Sequence, residues 1–173
     1  MVTPSDLDIR AAAKRVLGTI NQMLCHYFWK TRMKQSLPQD SDSKPEYVAI
    51  HNATVESSLV SIRILDDIFG ESRKYPDDLH QSDFSGLAPS TSFLTKLDRE
   101  GINKQIAHIT RLKLIPEQHP FPYKTFLSGA IPPAEAFCNY LTSLQGTFND
   151  QDTQLIADTL AALGTVHREY AKT

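Results

Sequence analysis

Lys104, His108 and Arg111 stand at a spacing that places three side chains within about 60° of one another on a helix. Two cations beside an imidazole disfavour its protonated form, so His108 is expected to be neutral near neutral pH and able to accept a proton. The same cations suit a phosphodiester. These are the parts of metal-independent RNA cleavage, in which a base activates the 2′-hydroxyl and cations stabilise the charged phosphate. A plain structural histidine is the competing reading.

A second constellation lies upstream. Asn52, Glu56 and Arg63 fall within about 40° on a helical wheel. On a mostly apolar helix a carboxylate and a guanidinium must find partners, because an unpaired buried charge is costly. Glu56 and Arg63 are separated by about 10 Å along the helix axis, so a direct contact needs both side chains to reach. The trio reads either as a polar ladder that fixes helix register or as the source of a carboxylate, Glu56, that orients His108.

The elements that must carry these groups are marked by periodicity and punctuation. A first helix starts after the capping Ser5, with Asp6 and Asp8 in its first turn. It shows one apolar face (Ala13, Val16, Leu17, Ile20, Met23, Leu24, Tyr27, Phe28) and is expected to reach about Gln35. Pro45 suits the first turn of a second helix that continues to about Gly70, a natural C-terminal residue. This helix carries two apolar stripes, Val48-Val55-Leu59-Ile62-Phe69 and Ala53-Val60-Ile64-Ile68, which predict burial on more than one side. Its small Thr54, Ser57, Ser58 and Ser61 permit close approach of neighbours.

Residues 71–90 read as an irregular excursion with one helical turn, long for a passive connector. Ser90 is expected to cap a short helix bearing Phe93, Leu94 and Leu97. The helix of residues 98–112 points Ile102, Ile106, Ile109 and Leu112 inward. Pro116, Pro120 and Pro122 forbid regular structure, with Phe121, Tyr123 and Phe126 as anchors of that loop. Pro132 and Pro133 open another helix, and Asn149-Asp150 marks the start of the last. No stretch alternates with a two-residue period. The expectation is all-α, one domain over 1–173, as an antiparallel bundle of four long helices plus short ones.

Composition narrows the class further. The chain has 173 residues, 40% hydrophobic and 22% charged, which is globular rather than disordered. A net charge of −2 argues against coating nucleic acid by bulk electrostatics. Cys25 and Cys138 are expected as buried, free thiols. With neither a secretory signal nor an apolar run long enough for a membrane, a cytoplasmic protein is expected. The six histidines form no metal-ligand spacing, and no Gly-rich phosphate loop or nucleophile elbow occurs, so neither metal nor cofactor is expected. Tyr27, Phe28 and Trp29 suit a core or dimer seam better than base stacking.

The run Asn103-Lys104-Gln105-Ile106-Ala107-His108 resembles the signature of HEPN-type domains. The upstream Asn52-Ala53-Thr54-Val55-Glu56-Ser57-Ser58-Leu59, followed by Arg63, is similar to the buried second helix of bacterial members. The resemblance covers residues 45–112. Many members are metal-independent ribonucleases that act as dimers, often as toxins or in defence against phage. Others have lost catalysis and serve as binding or regulatory modules. Matched by position, Asn103 is the motif's polar residue and His108 its histidine, but Ile102 stands where the motif has arginine. Arg99, Arg111 and Arg63 are the candidates to replace that cation, with Lys104 helping to hold phosphate. The resemblance thus implies a homodimer and a catalytically weak or inert module that binds RNA, a nucleotide or an antitoxin-type protein partner. An endoribonuclease with His108 as base, and a purely structural scaffold, are the alternatives.

Overall fold

The computed structural model describes residues 6–33, 45–70, 73, 75, 77–107, 122–144 and 146–170, and no strand occurs among them. Helix α1 (Asp6–Met23) passes through Leu24 into the single turn α2 (Cys25–Phe28) and then into a π-helical turn, Trp29–Met33. Helix α3 spans Pro45–Phe69, a 3₁₀ turn covers Gln81–Asp83, and α4 spans Lys96–Ala107. The two long C-terminal helices are α5 (Tyr123–Ser143) and α6 (Asp150–Tyr170). No helix among the described residues is long and apolar enough to cross a membrane.

Side-chain pairs fix the helix directions. Lys14 meets Asp152 at 2.8 Å and Asn21 meets Thr159 at 3.1 Å, so α1 and α6 run parallel. Ser58 bonds the Gln22 carbonyl while Thr54 bonds His26, so α3 runs antiparallel to α1 and α2. Glu135 pairs with His167, and Leu141 shares a cavity lining with Ile156, which sets α5 against α6 in opposite directions. Ser58 lies beside Tyr123 and Phe69 packs on Phe137 at 5.7 Å, so α3 and α5 are parallel. The return between those two parallel helices includes α4. Between the helices lies a core in which Leu17, Ile20, Leu59, Ile62, Leu65, Phe69, Phe137 and Leu163 are buried.

Several expectations hold closely. Helix α3 begins on Pro45 and stops before Gly70. The carboxamide of Asn149 accepts the Asp152 N–H at 2.8 Å, capping α6 as its position suggested. The excursion after Gly70 carries one short helical turn.

Others are corrected. The first helix does not run unbroken to Gln35; its hydrogen-bond pattern changes at Leu24. Helix α3 is buried on one side only. Leu59, Ile62, Leu65 and Phe69 face the core, whereas Val60 and Ile64 of the second expected stripe are exposed on the flank away from it, and Val48, on the Leu59 stripe, is exposed near the start of the helix. Ser90 caps no helix. Its N–H and carbonyl are taken by Gln81, and α4 starts instead from Thr95, which forms a reciprocal capping box with Asp98.

Pro132 and Pro133 do not open a helix but lie inside α5. Each interior proline costs about 3 kcal/mol. The deficit is offset because Leu127, Ile131, Phe137 and Leu141 are all buried along this helix, each worth about 1.5–3 kcal/mol. Pro132 itself is exposed, as is Ser128, whose carbonyl loses its donor on the side open to water. Tyr123 and Phe126, expected on a loop, accordingly sit in the first turn of this helix. Cys138 is buried and its thiol is pushed up to about 12 by burial, but Cys25 is exposed.

Candidate functional site

The sequence-predicted residues divide into a group that the fold ties down and a group outside the described residues. His108 and Arg111 belong to the latter, as does the side chain of Lys104, whose backbone lies on α4. Asn103 is exposed on α4, beside Ile102, which is 0% exposed and part of the core. Asn52 and Glu56 are half-buried on α3. Arg63 does not reach back to Glu56; it forms an ion pair with Asp67, one turn further on.

Arg99 is committed as well. Its guanidinium pairs with the Asp66 carboxylate, lies 3.3 Å from Asp67 and 2.9 Å from the Ser92 hydroxyl. Asp66 is fully buried, and its Oδ1 accepts the Ser92 hydroxyl at 2.9 Å and the N–H groups of Phe93 and Leu94 at 2.8 and 3.0 Å. A buried carboxylate needs this full set of donors, since a charge without partners in the interior is strongly destabilising. Asp66 therefore fastens the start of the α4 segment to the end of α3.

A second fastening follows directly. The Gly70 carbonyl accepts from His80 Nε2 at 2.9 Å and from Gln81 Nε2 at 2.8 Å. His80 Nδ1 takes the Ser82 N–H, so the ring proton sits on Nε2. Gly70 is required here because a Cβ would come 2.6 Å from the Asp66 carbonyl. Arg73 pairs with Asp83 on the same excursion. The described part of this segment is thus pinned to the helix end by side chains that periodicity does not single out.

The most chemically distinctive environment lies at the other end of α3. Ser58 accepts the His26 N–H at 3.1 Å and donates to the Gln22 carbonyl at 3.3 Å. Tyr123 donates to the Met23 carbonyl at 3.2 Å and takes the N–H of Tyr27. Both pairs, 22 with 26 and 23 with 27, are successive rungs of an α-helical ladder. Two hydroxyls inserted there open the helix at Leu24. The π-helical turn that follows is a further departure from regular geometry, of a kind frequent at functional sites.

His26 sits in this opened segment, 7% exposed. Its ring stacks on Trp29 at 6.3 Å between centroids, and the rings of His51 and Tyr123 stand edge-on at 5.0 Å each. Thr54 donates its single hydroxyl proton to the His51 carbonyl at 2.8 Å, so at 3.2 Å it accepts from His26 Nδ1. That leaves Nε2 with its lone pair, and no hydrogen bond reaches it among the described residues. Burial first, then His51 and Lys30, lower this imidazole to about 4. His26 is a neutral acceptor at neutral pH.

Beside it opens a cavity of about 210 Å³ bounded by His26, Lys30, Thr31, Tyr123 and Lys124, with Tyr170 across from them. Lys124 Nζ lies 5.8 Å from the Tyr170 ring centroid. Glu169, also on the lining, is hydrogen-bonded by the Tyr27 hydroxyl. The cavity therefore offers two ammonium groups, a carboxylate, several hydroxyls and an imidazole acceptor among aromatic side chains. The sequence marks the tyrosines here only as packing groups, and His26 stands at no metal-ligand spacing.

No protein-family model, curated protein or solved structure matches the chain.

Proposed function

We propose that this protein is a HEPN-like helical module that binds a partner and does not turn RNA over. The HEPN-like part rests on the resemblance of Asn103–His108 and of Asn52–Arg63, with an all-helical architecture that accords with it. The observation that carries the non-catalytic part is the commitment of Arg99 to Asp66 and Asp67. Ile102 stands at the motif arginine and is packed in the core, and Arg63, like Arg99, is held by a carboxylate, which supports the reading for two of the three candidate replacements; Arg111 lies outside the described residues. With a net charge of −2 as well, the surface favours an antitoxin-type protein or a nucleotide over a long RNA.

A homodimer belongs to the same proposal. Ile50, Ala53, Val60 and Ile64 share one exposed face of α3, the apolar row a second copy would cover.

Incubation of the purified protein with single-stranded RNA in EDTA tests the reading. No cleavage is expected from the parent chain. Metal-independent cleavage that disappears in His108→Ala would overturn the proposal in favour of the ribonuclease alternative. If the same variant merely lowers stability, by about 1–3 kcal/mol through a lost buried hydrogen bond, His108 is structural.

A further inference from the structure

We propose that the cavity beside His26 binds a small phosphate monoester that also carries a free hydroxyl, a sugar phosphate of the ribose 5-phosphate kind. Three observations converge on that chemistry. Lys30 and Lys124 line the cavity from two different helical segments, while the one carboxylate on the lining, Glu169, accepts from Tyr27. Helix α5 begins at the same wall with Pro122 at its cap position and no side-chain cap, so the positive end of its dipole is not neutralised by a side chain. These groups suit a compact anion with several acceptor oxygens, for which lysine is a point-charge partner.

The third observation selects the rest of the ligand. His26 is more than nine-tenths buried, lines the cavity and has its proton fixed on Nδ1 by Thr54, so Nε2 can only accept. Hydrogen phosphate has a single P–OH to offer it and leaves most of the cavity empty, and a neutral sugar leaves both ammonium groups unused. A molecule that bears both a phosphate and a hydroxyl satisfies all of them at once. Size sets the upper limit. At about 210 Å³ the cavity is smaller than the roughly 300–1,000 Å³ of sites for drug-sized ligands, which fits a sugar phosphate and leaves a nucleobase outside. This inference does not rest on the HEPN-like reading. The Thr54 end of α3 lies about 18 Å along the axis from the Asp66 junction, at 1.5 Å per residue.

Trp29 is the only tryptophan in the chain and stacks on His26, so its fluorescence reports on the site. Titration of the full chain with ribose 5-phosphate is expected to give a saturable change. Ribose alone and inorganic phosphate should each bind about tenfold more weakly or worse, since each meets only part of the lining. Lys124 is exposed, so Lys124→Met should stay folded by circular dichroism yet weaken binding about tenfold. His26→Asn keeps a donor near Thr54 and removes the Nε2 acceptor; it should abolish the preference for ribose 5-phosphate over phosphate. The proposal is overturned by the absence of saturable binding up to about 10 mM, by unchanged affinity in Lys124→Met, or by inorganic phosphate binding as tightly as the sugar phosphate.

Discussion

The hydroxyl of Tyr123 stands 3.2 Å from the carbonyl of Met23, a residue one hundred positions earlier in the chain, and also takes the N–H of Tyr27. Ser58 repeats the arrangement one rung earlier, between Gln22 and His26. The bend that carries His26 is therefore imposed from α3 and α5 and is not a property of its own helix.

Removal of the Tyr123 hydroxyl should show this. Tyr123→Phe leaves the ring in place but strips the bridge between Met23 and Tyr27, and is expected to cost about 1–3 kcal/mol of stability, the usual range for a buried group left unsatisfied. Urea denaturation reads the loss, and Trp29 emission should shift as the neighbouring turn re-forms. An unchanged midpoint and spectrum would mean that the ladder closes without the hydroxyl.

At the other end of α3, Asp66→Asn keeps the shape and discards the charge that Arg99 and two backbone N–H groups converge on. Breaking a buried ion pair typically costs about 3–5 kcal/mol. Hydrogen exchange should quicken at Phe93 and Leu94 before it does in the α1–α6 contact. Uniform loss of protection would argue that Asp66 supports the whole fold instead of this one junction.

Gly70→Ala is predicted to disturb the same junction by a different route. The new Cβ would meet the Asp66 carbonyl at 2.6 Å, which forces the backbone to shift and weakens the bonds from His80 and Gln81. A destabilisation of about 1–3 kcal/mol is expected, measurable as a lowered thermal midpoint. A midpoint equal to the parent's would show that the turn relaxes freely.

His26 makes stability depend on pH with a definite sign. Its folded value is lowered to about 4 from the ordinary 6.5, with burial the largest cause and His51 and Lys30 contributing. The unfolded chain then binds more protons between those values, so stability rises with pH across about 4 to 6.5 and is flat above. Acidification from pH 7 to pH 4.5 is expected to cost on the order of 2 kcal/mol through this group. Denaturation at pH 7 and pH 4.5 should show a smaller difference in His26→Asn than in the parent; comparing the two chains removes the titration of the carboxylates, which both share. Equal differences would place the imidazole in water.

Local signals and long-range ones were not equally legible in the chain. Pro45 and Gly70 bracket α3 because a proline suits a first turn and a glycine a last one, and Asn149 announces α6 by its capping carboxamide. Pro132 and Pro133 mislead because the burial that overrides them comes from other helices. Arg63 and Arg99 look available on a helical wheel, yet Asp67 and Asp66 claim them only once the end of α3 meets the start of α4. The opening at Leu24 leaves no trace in its own neighbourhood, since both hydroxyls that cause it arrive from at least 32 positions away.

The parallel pairing of α1 with α6 has a consequence for synthesis. Asn21 bonds Thr159, 138 residues later, so the flank of α1 that carries Lys14 and Asn21 has no native neighbour until almost all of the domain has left the ribosome. At translation rates of about 5–20 residues per second this wait is roughly seven to twenty-eight seconds. Helix α3 can cover the opposite flank much sooner. The nascent chain therefore passes through a stage with one helix pair closed and a strip of α1 still wet, which is the interval in which a chaperone or a second nascent chain competes for it.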